Sequence, residues 1–391
     1  MRHCAILDIG SSKIVCMIVG SEPDGAIIVR GTGALDYSGY RLGSLPQRRE
    51  LAETMAGAVH SAERAAGVKV RDVTVGVPAP FMKVASNLGQ ASVLSRNGRV
   101  ASADVAELID DSLDFDHPEN CSLIHSTPVS FVADRTPITG SPIGLPCGVL
   151  SAEVSHCFVE DRYKDLVTGA LAEYGISVDS FVSSALASAC FTIPESIRAD
   201  RVFLVDCGGT HTDITLLSGN AIVASDSIGI GGRHFTGDLC YCLRLPEGVA
   251  EDLKRRYVFS LDYGESCERV RIPGEGVFDV EHSFIQLIIE ARAEELCDML
   301  CAKLDLMAGE VGQTPVFLTG AGFALMRGAK EFIENRIGRK VAVSMPSVSK
   351  NSSLSFASAF GLADFALFRV GKSGPIKKTE RYLRRAFDWR T

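Results

Sequence analysis

The sequence predicts an α/β protein of two related lobes facing each other across a cleft, and two stretches carry that prediction. Val202-Phe203-Leu204-Val205-Asp206-Cys207-Gly208-Gly209-Thr210-His211-Thr212-Asp213-Ile214-Thr215-Leu216-Leu217 runs apolar, turns at glycines and runs apolar again, the pattern of a β-hairpin. Ala5-Ile6-Leu7, then Asp8-Ile9-Gly10-Ser11-Ser12-Lys13, then Ile14 to Val19, repeats it near the N-terminus. One such turn is common in any protein. Two of them, each between apolar strands and roughly half a chain apart, indicate a duplicated fold.

The turns are where chemistry is expected. Gly208 and Gly209 lack a Cβ, so the backbone there is free to take φ > 0 and to aim successive N–H groups at an anion. Gly10, Ser11, Ser12 and Lys13 in the first turn and Thr210 and His211 in the second are candidate phosphate contacts. A carboxylate beside bound phosphates suits Mg²⁺, which keeps several waters and takes one or two carboxylates plus phosphate oxygens. Asp8, Asp206 and Asp213 are the candidate metal ligands.

With 391 residues the chain has room for two or more domains and a sizeable core. Its apolar content of 46% and charged content of 23% are those of a globular protein. The net charge of −8 argues against a general nucleic-acid binder. Twelve cysteines show no Cys-x-x-Cys, and Cys240/Cys242 and Cys297/Cys301 lack nearby His partners. Most sit in apolar runs, which points to small buried hydrophobes in a reducing compartment. Neither an export signal nor a run of about 18 apolar residues is expected.

Taken in order, Ala26 to Val29 reads as a third strand, and the Gly31-x-Gly33 that follows reads as a turn at its end. Leu51, Met55, Ala58, Val59 and Ala62 recur at helical spacing over Gln47 to Ala66, with Gly67 as C-cap. Asp72 to Val77 is a buried strand. This β-β-β-α-β order resembles the start of the actin-like ATPase fold. From Lys83 to Cys157 the character changes to a compact insert: a helix Asp104 to Leu113 that Ser102 can cap, strands at about Ser122 to Val132 and Val149 to Val159, and an irregular Gly/Pro-rich loop from Thr139 to Gly148. Asp161 to Glu173 is an amphipathic helix, and Ser180 to Ala189 reads as a second helix rich in small residues.

Beyond the second hairpin, the pair Gly231-Gly232 opens a helix, a place that suits a phosphate or ribose. Glu251, Lys254 and Arg255 fall on adjacent turns of one helix face, by itself the pattern of a solvated salt-bridge surface. A long helix spans about Glu281 to Met307. Val316 to Phe323 reads as a strand ending in Gly320-Ala321-Gly322-Phe323, and Ser353 to Phe368 as an apolar helix. The last segment is a basic amphipathic helix: Ile376, Tyr382, Leu383, Ala386, Phe387 and Trp389, the sole tryptophan, on one side, and Lys377, Lys378, Arg381, Arg384 and Arg385 on the other. Such a helix suits a membrane interface, with packing on a protein surface as the alternative.

Pro142-Ile143-Gly144-Leu145 and Gly148-Val149-Leu150-Ser151-Ala152 resemble the insert signature of the bacterial cell-division FtsA family, with Ser141 in place of its Asn. Ile289-Glu290-Ala291-Arg292-Ala293-Glu294-Glu295-Leu296 is similar to a further word of that family. The resemblance implies an actin-like, ribonuclease H-like duplicated fold around a nucleotide cleft, with a 1C insert replacing the 1B subdomain of actin. It divides the chain into 1A (1–82 and 158–200), 1C (83–157), 2A (201–230 and 281–352), 2B (231–280), a return helix (353–370), a linker (371–375) and a membrane-targeting helix (376–391). It implies ATP and Mg²⁺ as cofactors, with Glu251, Lys254 and Arg255 over the adenosine and the Gly320 to Phe323 loop near base and ribose.

Its implied partners are FtsZ, received by 2B with Lys254, Arg255, Arg256 and Arg271 as basic groups, further copies in a filament, other divisome proteins and an anionic membrane. The implied location is the cytoplasmic side of the cell membrane, peripheral, at the division site. Thr210 and His211 stand where the family commonly has a third Gly and then Thr, the adenosine loop is Thr-Gly-Ala-Gly instead of Thr-Gly-Gly-Ala, and the linker is short. Slow or absent ATP hydrolysis is therefore expected, with Glu160 and Asp161 as weak candidates for polarising a water. The alternatives are a pilus-assembly-type actin homologue and a small-molecule kinase of the same superfamily.

Overall fold

The computed structural model describes residues 3–21, 27–95, 97–309, 314–345 and 354–370. The first lobe begins with β1 (His3–Ile9), β2 (Lys13–Ser21), β3 (Ile27–Asp36), α1 (Arg48–Ala66) and β4 (Asp72–Val77). The insert contributes β5 (Met82–Ser92), α2 (Ser102–Asp111), β6 (Cys121–Ala133), β7 (Thr136–Ile138) and β8 (Val149–Glu160). The chain returns through α3 (Asp161–Ala172), β9 (Ser177–Ser183), α4 (Ser184–Thr192) and the short α5 (Glu195–Arg198). The second lobe holds β10 (Arg201–Cys207), β11 (Thr212–Ser218), β12 (Ala221–Ile228), α6 (Gly232–Leu243), α7 (Glu247–Arg256), β13 (Cys267–Ile272) and β14 (Gly276–Glu281). It closes with α8 (His282–Ala308), β15 (Val316–Thr319), α9 (Ala329–Ile337), β16 (Val341–Val343) and α10 (Ala357–Val370).

Two five-stranded sheets have the same topology. Their orders are β3-β2-β1-β4-β9 and β12-β11-β10-β15-β16, each an antiparallel meander of three strands extended by two parallel ones. The duplication read from the two hairpins is thus a duplication of whole sheets. A four-stranded sheet, β5-β8-β6-β7, forms the insert, and β13-β14 stands as a separate hairpin.

Because side chains alternate across a strand, β10 serves two cores at once. Val202 and Leu204 pack into the core of the first lobe, while Phe203, Val205 and Cys207 pack into that of the second. A strand buried on both faces needs an unbroken apolar run, which is what the sequence shows. The insert has a small core of its own around Val105, Leu108, Leu150 and Val154.

Gly31 and Gly33 do not form a turn; they lie inside β3. A Cβ at Gly31 would sit 2.3 Å from the Ala62 carbonyl oxygen, and one at Gly33 would sit 2.0 Å from that of Ala58. The glycines are there because α1 lies directly on the strand, a tertiary cause that no local pattern reveals. Residues 180–183 belong to β9, and the helix begins at Ser184 after Ser183, whose hydroxyl accepts from the Leu186 N–H. Its small residues do serve a close crossing with α10, since a Cβ at Gly361 would meet the Ala187 carbonyl at 2.2 Å. α2 is capped from inside, Asp104 accepting from the Ala101 N–H at 2.7 Å, and Ser102 is already helical. All twelve cysteines are free thiols, and among the described residues no helix is long and apolar enough to cross a membrane. The terminal amphipathic segment, with its linker, lies outside the described residues.

Candidate functional site

The two hairpin turns meet at a cleft of about 870 Å³ between the lobes. Asp8, Gly10, Ser11, Ser12 and Lys13 line it from the first lobe, and Asp206, Gly208, Gly209, His211 and Asp213 from the second. The far wall carries Gly232, Glu251, Lys254 and Arg255, and the loop Gly320, Ala321 and Gly322 closes the floor. Three of the expected cofactor contacts stand off the lining. Gly231 and Thr210 lie one step behind it. Phe323 is fully buried in the second core, stacked on Phe235 at 5.3 Å, because β15 ends at Thr319 and the chain dives inward after the glycine loop.

The glycines act by making room, and not by a left-handed backbone in the second turn. Gly208 and Gly209 are absent from the positive-φ residues, but a Cβ on Gly209 would lie 2.6 Å from that of Ser12. Gly320 does take φ +84°, and its Cβ would lie 2.3 Å from the Asp206 carboxylate. Three backbones touch at one junction: the Gly232 N–H donates to the Gly208 carbonyl at 2.9 Å, and the Gly322 N–H to that of Cys207 at 2.7 Å.

The expected outward-facing amides have a partner already. Ser11 Oγ accepts from the N–H groups of Gly209 at 3.0 Å and Thr210 at 3.3 Å, so one turn fills the anion nest of the other. An entering phosphate would have to displace that hydroxyl.

Electrostatically the cleft is short of cations. Asp213 stands directly opposite Asp206 in the β10-β11 ladder, a pairing of like charges. Burial, then Asp213 and Asp8, push the Asp206 carboxyl up to about 7. Burial also raises Asp8, against a hydrogen bond from Ser358 Oγ at 2.9 Å and the charge of Lys13. Lys13, lowered by burial, lies over the Phe356 ring at 4.0 Å. One or two of these carboxylates would suit a Mg²⁺ ion whose other ligands are waters and phosphate oxygens. No group of three or more His, Cys, Asp or Glu among the described residues could enclose a metal by itself.

His211, 4% exposed, answers part of this charge. Thr210 Oγ1 donates its proton to the Tyr40 carbonyl at 2.9 Å, so at 3.1 Å it accepts from His211 Nδ1–H. Nε2 then faces Asp213 Oδ2 at 3.5 Å. Burial pulls the imidazole down, but Asp213 and Asp206 outweigh it and raise it.

On the far wall Lys254 is buried, bonded to Glu251, to Thr236 Oγ1 at 3.0 Å and to the Gly232 carbonyl at 3.2 Å. It therefore faces the cleft and is not a surface group for a docking peptide. Arg255 pairs with Glu251 at 2.8 Å, and Arg256 pairs with Glu268. Glu160 and Asp161 are likewise elsewhere: neither lines the cleft, Glu160 pairs with Arg162 and Lys83, and Asp161 with Lys164 and Ser122 Oγ. They are partners of a helix N-terminus, not water activators. Sequence reasoning missed Tyr40 and Ser358, which line the cleft from segments without a local motif, and Arg233 and Thr236, which follow the Gly231-Gly232 pair on α6.

Duplicated sheets, paired Asp-x-Gly turns and the cleft between them define a protein of the actin-like ATPase fold. Two solved structures agree: the PilM-PilN type IV pilus biogenesis complex (17% identity, TM-score 0.62, 93% of this chain and 98% of that chain) and MreB5 of Spiroplasma citri bound to ADP (12%, 0.55, 95% and 99%). Residues 203–361 match the family model "Cell division protein FtsA". Cell division protein FtsA of Pseudomonas aeruginosa is 26% identical over 345 residues, 87% of this chain and 82% of that protein. That of Escherichia coli K12 is 22% identical over 330 residues, 83% and 78%. The chain is thus similar to cell division protein FtsA over most of its length, and these relatives support an actin-like cell-division role.

Proposed function

We propose that this protein binds Mg–ATP in the cleft and, assembled into filaments, ties the FtsZ ring to the inner face of the membrane. The observation that carries the reading is the convergence of both Asp-x-Gly turns on one cavity with buried, mutually repelling carboxylates. The Mg²⁺ that accompanies the nucleotide is proposed to set a cation beside these carboxylates, and Glu251, Lys254 and Arg255 are proposed to hold the adenosine. Hydrolysis is proposed to be slow, because Glu160 and Asp161 stand outside the cleft and Ser11 occupies the phosphate nest.

FtsZ is proposed to dock on residues 231–280, taken as 2B. Arg271 and the apolar side chains of Val277 and Phe278 are exposed there, with Phe284 and Leu287 of α8 exposed nearby in the chain. Residues 376–391 are proposed as the anchor. Each basic residue near an anionic surface contributes about 1 kcal/mol. One copy is then a reversible anchor, and a filament multiplies it through effective concentration.

The direct test is calorimetry with Mg–ATP on Asp206→Ala and Gly208→Val. Both are expected to lose most of their affinity. Wild-type affinity in both would place the nucleotide elsewhere.

A further inference from the structure

Behind the phosphate end of the cleft, the first lobe buries three phenols. Tyr37 and Tyr40, from the loop after β3, are 2% and 5% exposed, and Tyr163, in the first turn of α3, is fully buried. None of the three hydroxyls has a hydrogen-bond partner among the described residues. A phenol placed in a core ordinarily finds one, because a buried polar group left unpaired is costly.

The three are neighbours. Phe81 stacks on Tyr163 at 4.2 Å and meets Tyr40 at 4.9 Å, so one ring separates two of the phenols. Burial, then the neighbouring Tyr163, Asp213, Tyr37 and Asp8, raise the Tyr40 phenol, and burial, then Tyr37 and Asp8, raise that of Tyr163. Tyr37 at the other end feels Glu50, which accepts the Ser38 N–H at 3.0 Å near the surface. Tyr40 lines the cleft itself. Three unpartnered hydroxyls therefore share one buried neighbourhood of the first lobe, and one of the three residues, Tyr40, lines the cleft.

We infer that Tyr37, Tyr163 and Tyr40 hold ordered water, a hydration site in the first lobe beside the cleft that Tyr40 lines. A buried water needs two to four polar partners and commonly makes about three hydrogen bonds, which these hydroxyls supply. The site belongs to the folded protein with or without nucleotide, so its failure would leave the nucleotide reading standing.

The sign of a conservative substitution tests it. Tyr163→Phe and Tyr37→Phe keep ring and volume and remove one hydroxyl each. If water bridges them, each variant melts lower, by about 2 °C or more, and the double variant loses less than the sum because the bridge is already broken. If the hydroxyls are dry, each substitution removes an unpaired group and melting rises or holds, which overturns the inference. A high-resolution crystal structure is the second arm: water within hydrogen-bond distance of at least two of the phenols supports it, and a dry pocket refutes it.

Discussion

Gly322→Ala strikes the junction where three backbones meet. Its Cβ would lie 2.1 Å from the Gly208 carbonyl oxygen, 2.7 Å from that of Cys207 and 2.9 Å from the Gly232 nitrogen. No rotamer relieves this, since every obstacle is backbone, and the loop must retreat by about 1 Å from contacts of normal packing. That retreat strains two hydrogen bonds, Gly322 N–H to Cys207 and Gly232 N–H to Gly208. Each is worth about 0.5–1.5 kcal/mol, and overpacking adds about 1–3 kcal/mol, for a loss of about 2–6 kcal/mol. Against a typical total of about 5–15 kcal/mol, that is a large fraction. Gly237→Ala is the control: exposed within α6 with nothing inside 4 Å, it should gain about 0.5–1 kcal/mol from helix propensity. Urea unfolding of both variants gives the signs, and Mg–ATP calorimetry should show affinity lost in the first alone. A Gly322→Ala protein as stable as wild type, with unchanged affinity, would refute the close-packed junction.

Two further outcomes are expected. In the insert, buried His156 accepts at Nδ1 from Ser126 at 2.9 Å and donates from Nε2 to Ser112, whose own proton goes to the Ile109 carbonyl; burial lowers it below its usual 6.5. A lowered folded pKa contributes stability that is present above 6.5 and lost as pH falls through the folded value, so the urea midpoint should drop between pH 7.5 and 5.5 by more in wild type than in His156→Gln. Parallel pH profiles would rule that out. For the anchor, Trp389→Glu or truncation after Gly371 should abolish co-sedimentation with anionic liposomes while Mg–ATP affinity is kept; undiminished pelleting of the truncated chain means the segment has another role.

What the sequence discloses and what it conceals divide along a physical line. The hairpins, α1 with its Gly67 cap at φ +67°, and β4 were legible because periodicity and turn chemistry are local. The purposes of Gly31, Gly33, Gly322 and Gly361 were not, since each makes room for a backbone far away in the chain. The same holds in the site. Asp8 and Asp206 were readable as strand-end acids, but Ser358 reaches Asp8 from a helix 350 residues on, and Ser11 reaches into the opposite turn. Glu160 and Asp161 misled because a helix start looks the same whether its acids face a cleft or a lysine.

The departures at Thr210 and His211 gain their meaning from the other lobe. Thr210 Oγ1 bonds the Tyr40 carbonyl, the His211 ring lies 5.3 Å from that of Tyr40, and Arg233 donates to the carbonyls of Tyr37 at 2.8 Å and Ser38. All these donors belong to the second lobe, and all the acceptors lie in one short loop of the first. Together with the bonds from the Gly209 and Thr210 amides to Ser11 they clasp the lobes at the phosphate end before any ligand arrives. A neutral bond of this kind is worth about 0.5–1.5 kcal/mol and one from a charged donor about 1.5–3 kcal/mol. Parting the lobes at this end therefore costs several kcal/mol. A glycine at 210 would remove the bond to Tyr40 and lower that cost. The side chains that crowd the turn thus hold the two lobes together at this end.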